Sequence, residues 1–167
     1  MPVGIRPACQ ADETLIKNIF NMYQNELGVY SNDFMSLDAN GYFDESTVCD
    51  ILPFGDGVYP YIVTMDGAVI GFIMVTEGAY APEGCRYCFQ ELFIIASRRG
   101  SGAAYDAARL AMKGRIGRWG LNVYEKNLRA RAFWTKLTGL CGENLKSRPG
   151  EENMIEMSFD YAGEGKT

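Results

Sequence analysis

Leu92-Phe93-Ile94-Ile95 is a run of four apolar residues with no polar alternation, inside a strand-like stretch from Cys88 to Ile95. A strand apolar on successive residues must be covered on both faces, so it belongs at the centre of a layered α/β sheet. The turn Ser97-Arg98-Arg99-Gly100-Ser101-Gly102 follows it, and then a helix from Ala103 to about Arg115. Ala104, Ala107, Ala108 and Ala111 give that helix a small-residue stripe that can lie close to a sheet.

The other segments fit around this unit. Val3 to Arg6, ended by Pro7, reads as an edge strand. Leu15, Ile16, Ile19, Phe20, Tyr23 and Leu27 recur at helical spacing behind Asp12 and Glu13, with Gly28 as the stop. Tyr61–Met65 and Ala68–Thr76 flank Asp66-Gly67, a pair that supplies the positive φ angles of a tight hairpin. Trp119–Tyr124 reads as a further strand, Asn127–Leu137 as a helix ending at Gly139, and Met154–Tyr161 as an antiparallel strand with one covered face. Tyr30 to Tyr59 is acidic, aromatic and loop-rich, with one short helix over Glu45–Leu52. At 167 residues and 47% hydrophobic, the chain suits one core: a single domain over residues 1–161 with a flexible tail over 162–167.

Composition removes several chemistries. The chain has no histidine, which excludes Ser-His and Cys-His pairs, histidine bases and imidazole zinc sites. Five cysteines (Cys9, Cys49, Cys85, Cys88, Cys141) are scattered, and reduced thiols are expected. Cys85-Arg-Tyr-Cys88 precedes a strand rather than a helix and has no second pair, so neither redox nor zinc chemistry is expected there, and no metal. No apolar run approaches a membrane span, and the opening MPVGIRPACQADE has no basic segment followed by an apolar one, so a cytoplasmic location is expected.

Charge is divided along the chain. Residues 1–84 carry 12 Asp and Glu against 2 Lys and Arg, whereas residues 85–167 carry 9 acidic and 14 basic residues. Ten of the basic residues lie between Arg98 and Lys136, which suits a phosphate-bearing ligand; a solvated helix face is the alternative. The acidic balance of the whole chain speaks against nucleic acid.

Arg99-Gly100-Ser101-Gly102-Ala103-Ala104, between a buried strand and a helix, joins unpaired N–H groups to glycines that let a phosphate approach. The dinucleotide fingerprint would need glycine at Tyr105, and the P-loop pattern fits neither here nor at Gly165-Lys166-Thr167. The form R-x-x-G-x-[GA] does fit. In it the sequence resembles the GNAT N-acetyltransferases, whose acetyl-CoA motif lies on the same strand, turn and helix. Ile5-Arg6-Pro7-Ala8 with Asp12, Gly67-Ala68-Val69-Ile70-Gly71-Phe72, and Asn127-x-x-Ala130-x-x-Phe133-Trp134 with Lys136-Leu137-x-Gly139 extend the resemblance over residues 3 to 140. Glu91-Leu-Phe-Ile-Ile, Gly117-Arg118-Trp119 and Phe133-Trp134 further resemble a bacterial branch of acetyltransferases.

The resemblance implies a GNAT fold: a mixed, mostly antiparallel twisted sheet of six to seven strands, about four flanking helices, and a V-shaped slot beside the central strand. It implies acetyl-CoA as co-substrate and a small-molecule amine as acceptor, with a homodimer compatible with it. The backbone of Phe93, Ile94 and Ile95 is expected to pair with the pantetheine arm. The amides of Gly100, Ser101, Gly102, Ala103 and Ala104 would hold the pyrophosphate, with Arg99 adding charge. Asn127 would bond the arm; Ala130, Phe133 and Trp134 would line the channel; Lys126, Arg129 or Lys136 would meet the ribose phosphate. The Ile94 N–H, or a neighbour's, would polarise the thioester carbonyl.

Glu91, an acid inside an apolar run, is the candidate base that takes the proton of the attacking amine; the alternative is a structural carboxylate paired with an arginine. Trp134 stands where many relatives have a tyrosine that protonates the leaving thiolate, which leaves Tyr124 or Tyr105 as candidate acids, or an unassisted thiolate. Glu26, Asp33, Asp38, Asp44 and Glu45 with Tyr23, Tyr30, Tyr42 and Phe43 form the expected acceptor side, of which Tyr23, Glu26 and Tyr30 are the candidate substrate contacts; acids with aromatics suit a cationic amine. Two other functions stay open: an acyl-CoA-binding sensor or partner module of the same fold with little catalysis, and an unrelated nucleotide-phosphate binder.

Overall fold

A computed structural model describes residues 2–31, 35–43 and 55–163 of the chain. The Asp66-Gly67 turn adopts the positive φ angles that the pair favours, 51° and 80°, and joins β2 (Val58–Met65) to β3 (Ala68–Glu77). β1 (Val3–Pro7) pairs antiparallel with β2, and β3 pairs antiparallel with β4 (Tyr87–Ile94). Beyond β4 come β5 (Gly117–Tyr124), β6 (Glu143–Pro149) and β7 (Met154–Tyr161), in one seven-stranded sheet ordered β1-β2-β3-β4-β5-β7-β6. The apolar run therefore does lie on the middle strand.

Alternation along the strands feeds two cores. Helix α1 (Glu13–Leu27) places Ile16, Ile19 and Phe20 on Ile62, Phe72, Met74 and Phe93. On the opposite face, α2 (Ala103–Met112) and α3 (Leu128–Cys141) cover Val63, Ile73, Val75, Phe89, Leu121 and Phe159 with Ala103, Ala107, Ala108, Ala111, Trp134 and Leu137. The alanine stripe, except Ala104, is buried as expected. No helix among the described residues is long and apolar enough to cross a membrane.

Several element bounds, and one whole strand, differ from the sequence reading. Helix α2 stops at Met112 rather than near Arg115, because Gly114 takes a φ of 78° and turns the chain into β5. Helix α3 runs through Gly139 to Cys141, since Leu137 and Thr138 are buried and hold the last turn in place. Strand β6 has no counterpart in the sequence reading: it is exposed along its whole length on the sheet edge and so has no apolar alternation to betray it. The described residues hold three α-helices; the expected Glu45–Leu52 helix lies outside them, as does most of the 162–167 tail.

The feature that makes a site is where β4 leaves β5. These strands pair in parallel only from Tyr87 to Phe89, opposite Trp119 to Leu121. On the β3 side the register steps from Val75↔Phe89 to Met74↔Glu91, so Gln90 is an extra residue, a β-bulge. The bulge bends β4 away, while β5 continues beside β7 as far as Tyr124. A wedge opens between Gln90–Ile94 and the end of β5.

Candidate active site

The wedge widens into a cavity of about 650 Å³ walled by the end of β4, the turn before α2, the first turns of α3 and the end of α1. Its β4 wall is a row of peptide groups. The N–H of Ile95 donates to the Ile70 carbonyl at 2.9 Å, and the register is regular from there to Glu91. Antiparallel alternation then turns Glu91, Phe93 and Ile95 toward β3, and presents the N–H and C=O of Leu92 and the N–H of Ile94 to the open edge, the Ile94 carbonyl being taken by Arg99 Nε. Of the three residues expected to offer their backbone there, Ile94 does so; Phe93 and Ile95 are already engaged with β3, and Leu92, which was not expected, takes part.

At one end lies the glycine turn. Gly100 and Gly102 hold φ angles of 79° and 89°, the left-handed conformation, and both line the cavity. The amides of Gly100, Gly102 and Ala104 make no hydrogen bond among the described residues, and they sit at the N-terminus of α2. Ser101 faces away: its hydroxyl donates to the Arg98 carbonyl at 2.7 Å and lies 3.4 Å from the Ala103 amide.

The α3 wall carries Asn127, Ala130, Phe133, Trp134 and Lys136, all lining the cavity as expected. Two have structural duties as well. Asn127 caps α3, its Oδ1 accepting from the Ala130 amide at 3.0 Å, which leaves its NH₂ group for a ligand. Trp134 is 7% exposed and packs on Phe89 at 4.9 Å, so most of its ring belongs to the core. Lys136 lies over the Tyr105 ring at 5.2 Å.

Glu91 lies on the far side of the bulge, partly buried beside Tyr23. Burial pushes its carboxyl up to about 7, against the opposing pull of a hydrogen bond from the Tyr23 hydroxyl. Burial first, and then the neighbouring carboxylate, raise the Tyr23 phenol well above its ordinary value. The Tyr23 ring is fixed edge-on by Phe20 and Phe72, at 5.9 and 5.8 Å, with Phe93 at 5.7 Å. Tyr124, at the tip of β5, does not line the cavity but stacks on Tyr30, which does, with ring centroids 6.5 Å apart.

Two of the expected charged residues are already paired with each other. Arg99 is not a free cation: its Nη2 donates to the Glu26 carboxylate at 2.8 Å, its Nε to the Ile94 carbonyl at 2.6 Å, and it rests on the Phe93 ring. Glu26 is consequently not a free carboxylate for an acceptor. Asp38 accepts from the amides of Asn40 and Tyr42, while the Tyr42 hydroxyl and Phe43 amide bond Asn18 and Asn21 of α1, away from the cavity. Asp33, Asp44 and Glu45 lie outside the described residues. Leu27, Val29 and Arg98 line the cavity without having been expected to, since no local pattern marks them. The C-x-x-C thiols are not activated, for burial pushes Cys88 up to about 12 and raises Cys85 too.

No family model and no curated protein matches this chain. Solved structures do. An acetyltransferase from Thermus thermophilus superposes with a TM-score of 0.68 at 15% identity, covering 95% of this chain and 96% of the other. The PaiA N-acetyltransferase of Thermoplasma acidophilum in complex with coenzyme A gives 0.65 at 16% identity, with 96% and 100% covered. The ribosomal-protein-S18-alanine N-acetyltransferase of Escherichia coli gives 0.62 at 13% identity, with 99% and 98% covered. With its splayed central strand, bulge and glycine turn, the chain has the fold of the GNAT acetyltransferases.

Proposed function

We propose that the protein transfers the acetyl group of acetyl-CoA to the primary amine of a small cationic molecule. The observation that carries this reading is the continuity of one cavity. It runs from unpaired amides in a positive-φ glycine turn, along the β4 edge at Leu92 and the Ile94 N–H, to Tyr23, whose hydroxyl bonds the Glu91 carboxyl that burial has raised to about 7. A phosphate-bearing extended ligand with a reactive end matches that sequence of features.

The amides of Gly100 to Ala104 hold pyrophosphate, with the N-terminus of α2 supplying partial positive charge. The peptide group of Leu92 pairs with the pantetheine arm as a neighbouring strand would, and Asn127, Ala130 and Phe133 close the channel opposite. Acetyl-CoA, when bound, supplies an activated thioester. The Ile94 N–H faces the space where negative charge develops on a carbonyl oxygen, a fixed donor that favours the transition state over the ground state. Glu91 takes the proton of the attacking amine, and a value near 7 lets it act as a base without being wholly protonated at neutral pH. Tyr124, at the end of β5 and stacked on the cavity-lining Tyr30, is the acid proposed for the thiolate, because Trp134 has no acidic proton to give. The tyrosine faces of Tyr30 and Tyr124 suit a cationic group.

The test is thiol release from acetyl-CoA with a panel of cationic amines, followed by the pH dependence of kcat/KM. Activity should fall as pH drops below about 7, where Glu91 is protonated, and Glu91→Gln should lose most activity together with that limb. An unchanged profile in Glu91→Gln removes the residue as base.

A further inference from the structure

We propose that Arg99 is a positioning residue that clamps the end of β4 to α1, and that within this turn Arg98 rather than Arg99 is the cation that meets the pyrophosphate. The proposal rests on the acetyl-transfer reading above. Arg99 begins the glycine turn, where a phosphate contact would be natural, yet its guanidinium is committed elsewhere. Nε–H donates to the Ile94 carbonyl at 2.6 Å, Nη2 to Glu26 at 2.8 Å, and the plane lies over the Phe93 ring with its centre 5.3 Å from the centroid. Only 23% of the side chain is exposed, and its charge is balanced by Glu26. Pulling Arg99 onto a phosphate would leave Glu26 unpaired and free the last carbonyl of β4.

The clamp acts on the reacting end of the cavity. Ile94 carries the N–H assigned to polarise the thioester, and a charge-assisted bond to its own carbonyl fixes that residue from the C-terminal side. Glu26 sits in the last turn of α1, the helix that also presents Tyr23 to Glu91. One side chain therefore sets the spacing between the donor on β4 and the base-holding tyrosine on α1. Arg98, by contrast, is exposed, lines the same cavity, and forms no ion pair among the described residues.

The test compares wild type with Arg99→Gln, Glu26→Gln, their double variant and Arg98→Gln. Calorimetry gives the Kd for CoA. Turnover is followed with acetyl-CoA and with acetyl-pantetheine, which lacks the phosphates, using an amine that the wild type accepts. Arg99→Gln should change the CoA Kd by less than about twofold and lower kcat by about tenfold with both donors, as loss of a charged hydrogen bond allows. Glu26→Gln should fall in the same direction, and the double variant should be no slower than Arg99→Gln alone. Arg98→Gln should raise the CoA Kd about fivefold, and an unchanged CoA Kd would overturn the assignment of Arg98. A tenfold loss of CoA affinity in Arg99→Gln with normal acetyl-pantetheine turnover would overturn the proposal, as would a Glu26→Gln variant of unaltered kcat. If Arg99→Gln does not fold, the Glu26→Gln and Arg98→Gln results decide. A wild type that binds no CoA refutes the acetyl-transfer reading itself, an outcome distinct from any of these.

Discussion

Replacing Glu91 by glutamine tests the raised carboxyl without knowledge of any substrate. In the unfolded chain the group titrates near its ordinary 4.5, whereas in the fold burial holds it near 7. As pH rises through 4.5 the unfolded state releases its proton first, so the folded state loses relative stability until about pH 7, above which the penalty is constant. The displacement corresponds to about 3 kcal/mol as a ceiling, and to less in proportion to the solvent that reaches this partly buried side chain. Glutamine keeps the shape and a hydrogen-bonding oxygen for Tyr23 but never ionises. Glu91→Gln should therefore be more stable than wild type at pH 8.5, and the advantage should shrink by about 2 kcal/mol at pH 5. Urea unfolding of both proteins at the two pH values measures this directly, and titrations shared by both proteins cancel in the comparison. Parallel pH dependence in the two would mean that Glu91 is solvated and ordinary, and its selection as base would lose its physical ground.

Gly71→Ala should destabilise the fold by about 3 kcal/mol or more, since a Cβ there would lie 1.9 Å from the Phe93 carbonyl oxygen, a backbone atom that cannot rotate aside; a thermal melt reads this. Gly102→Val should weaken CoA binding in calorimetry and cost about 1–2 kcal/mol in stability. The cause is the left-handed φ of 89°, because a Cβ there would meet nothing within 4 Å. Asn127→Ala removes the α3 cap and should cost about 1 kcal/mol in chemical denaturation while also weakening CoA. Tyr23→Phe removes the bond that opposes the burial of Glu91, so the acidic limb of the rate profile should move to higher pH.

Local chemistry is what the sequence expressed most clearly. Asp66-Gly67 specifies its turn through backbone sterics, the run from Leu92 to Ile95 declares a strand covered on both faces, and Gly100 and Gly102 adopt the left-handed conformation that only glycine takes readily. Features that depend on one residue's register or on distant partners were not legible. Nothing in Phe89-Gln90-Glu91 announces that Gln90 is the extra residue that bends β4. Likewise the pairing of Arg99 with Glu26 spans 73 residues and converts two charges that looked free into a clamp. Exposed β6 escaped for a different reason: an edge strand bare on both faces carries no periodic apolar signal.

Calorimetric titration of the purified protein with acetyl-CoA, with NADH and ATP as controls, tests the central claim most directly. Saturable one-to-one binding of acetyl-CoA, weakened in Gly102→Val and not reproduced by NADH or ATP, is the predicted result. Equal or absent binding of all three would contradict the account, and would reduce the glycine turn and the splayed strand to features of the fold alone.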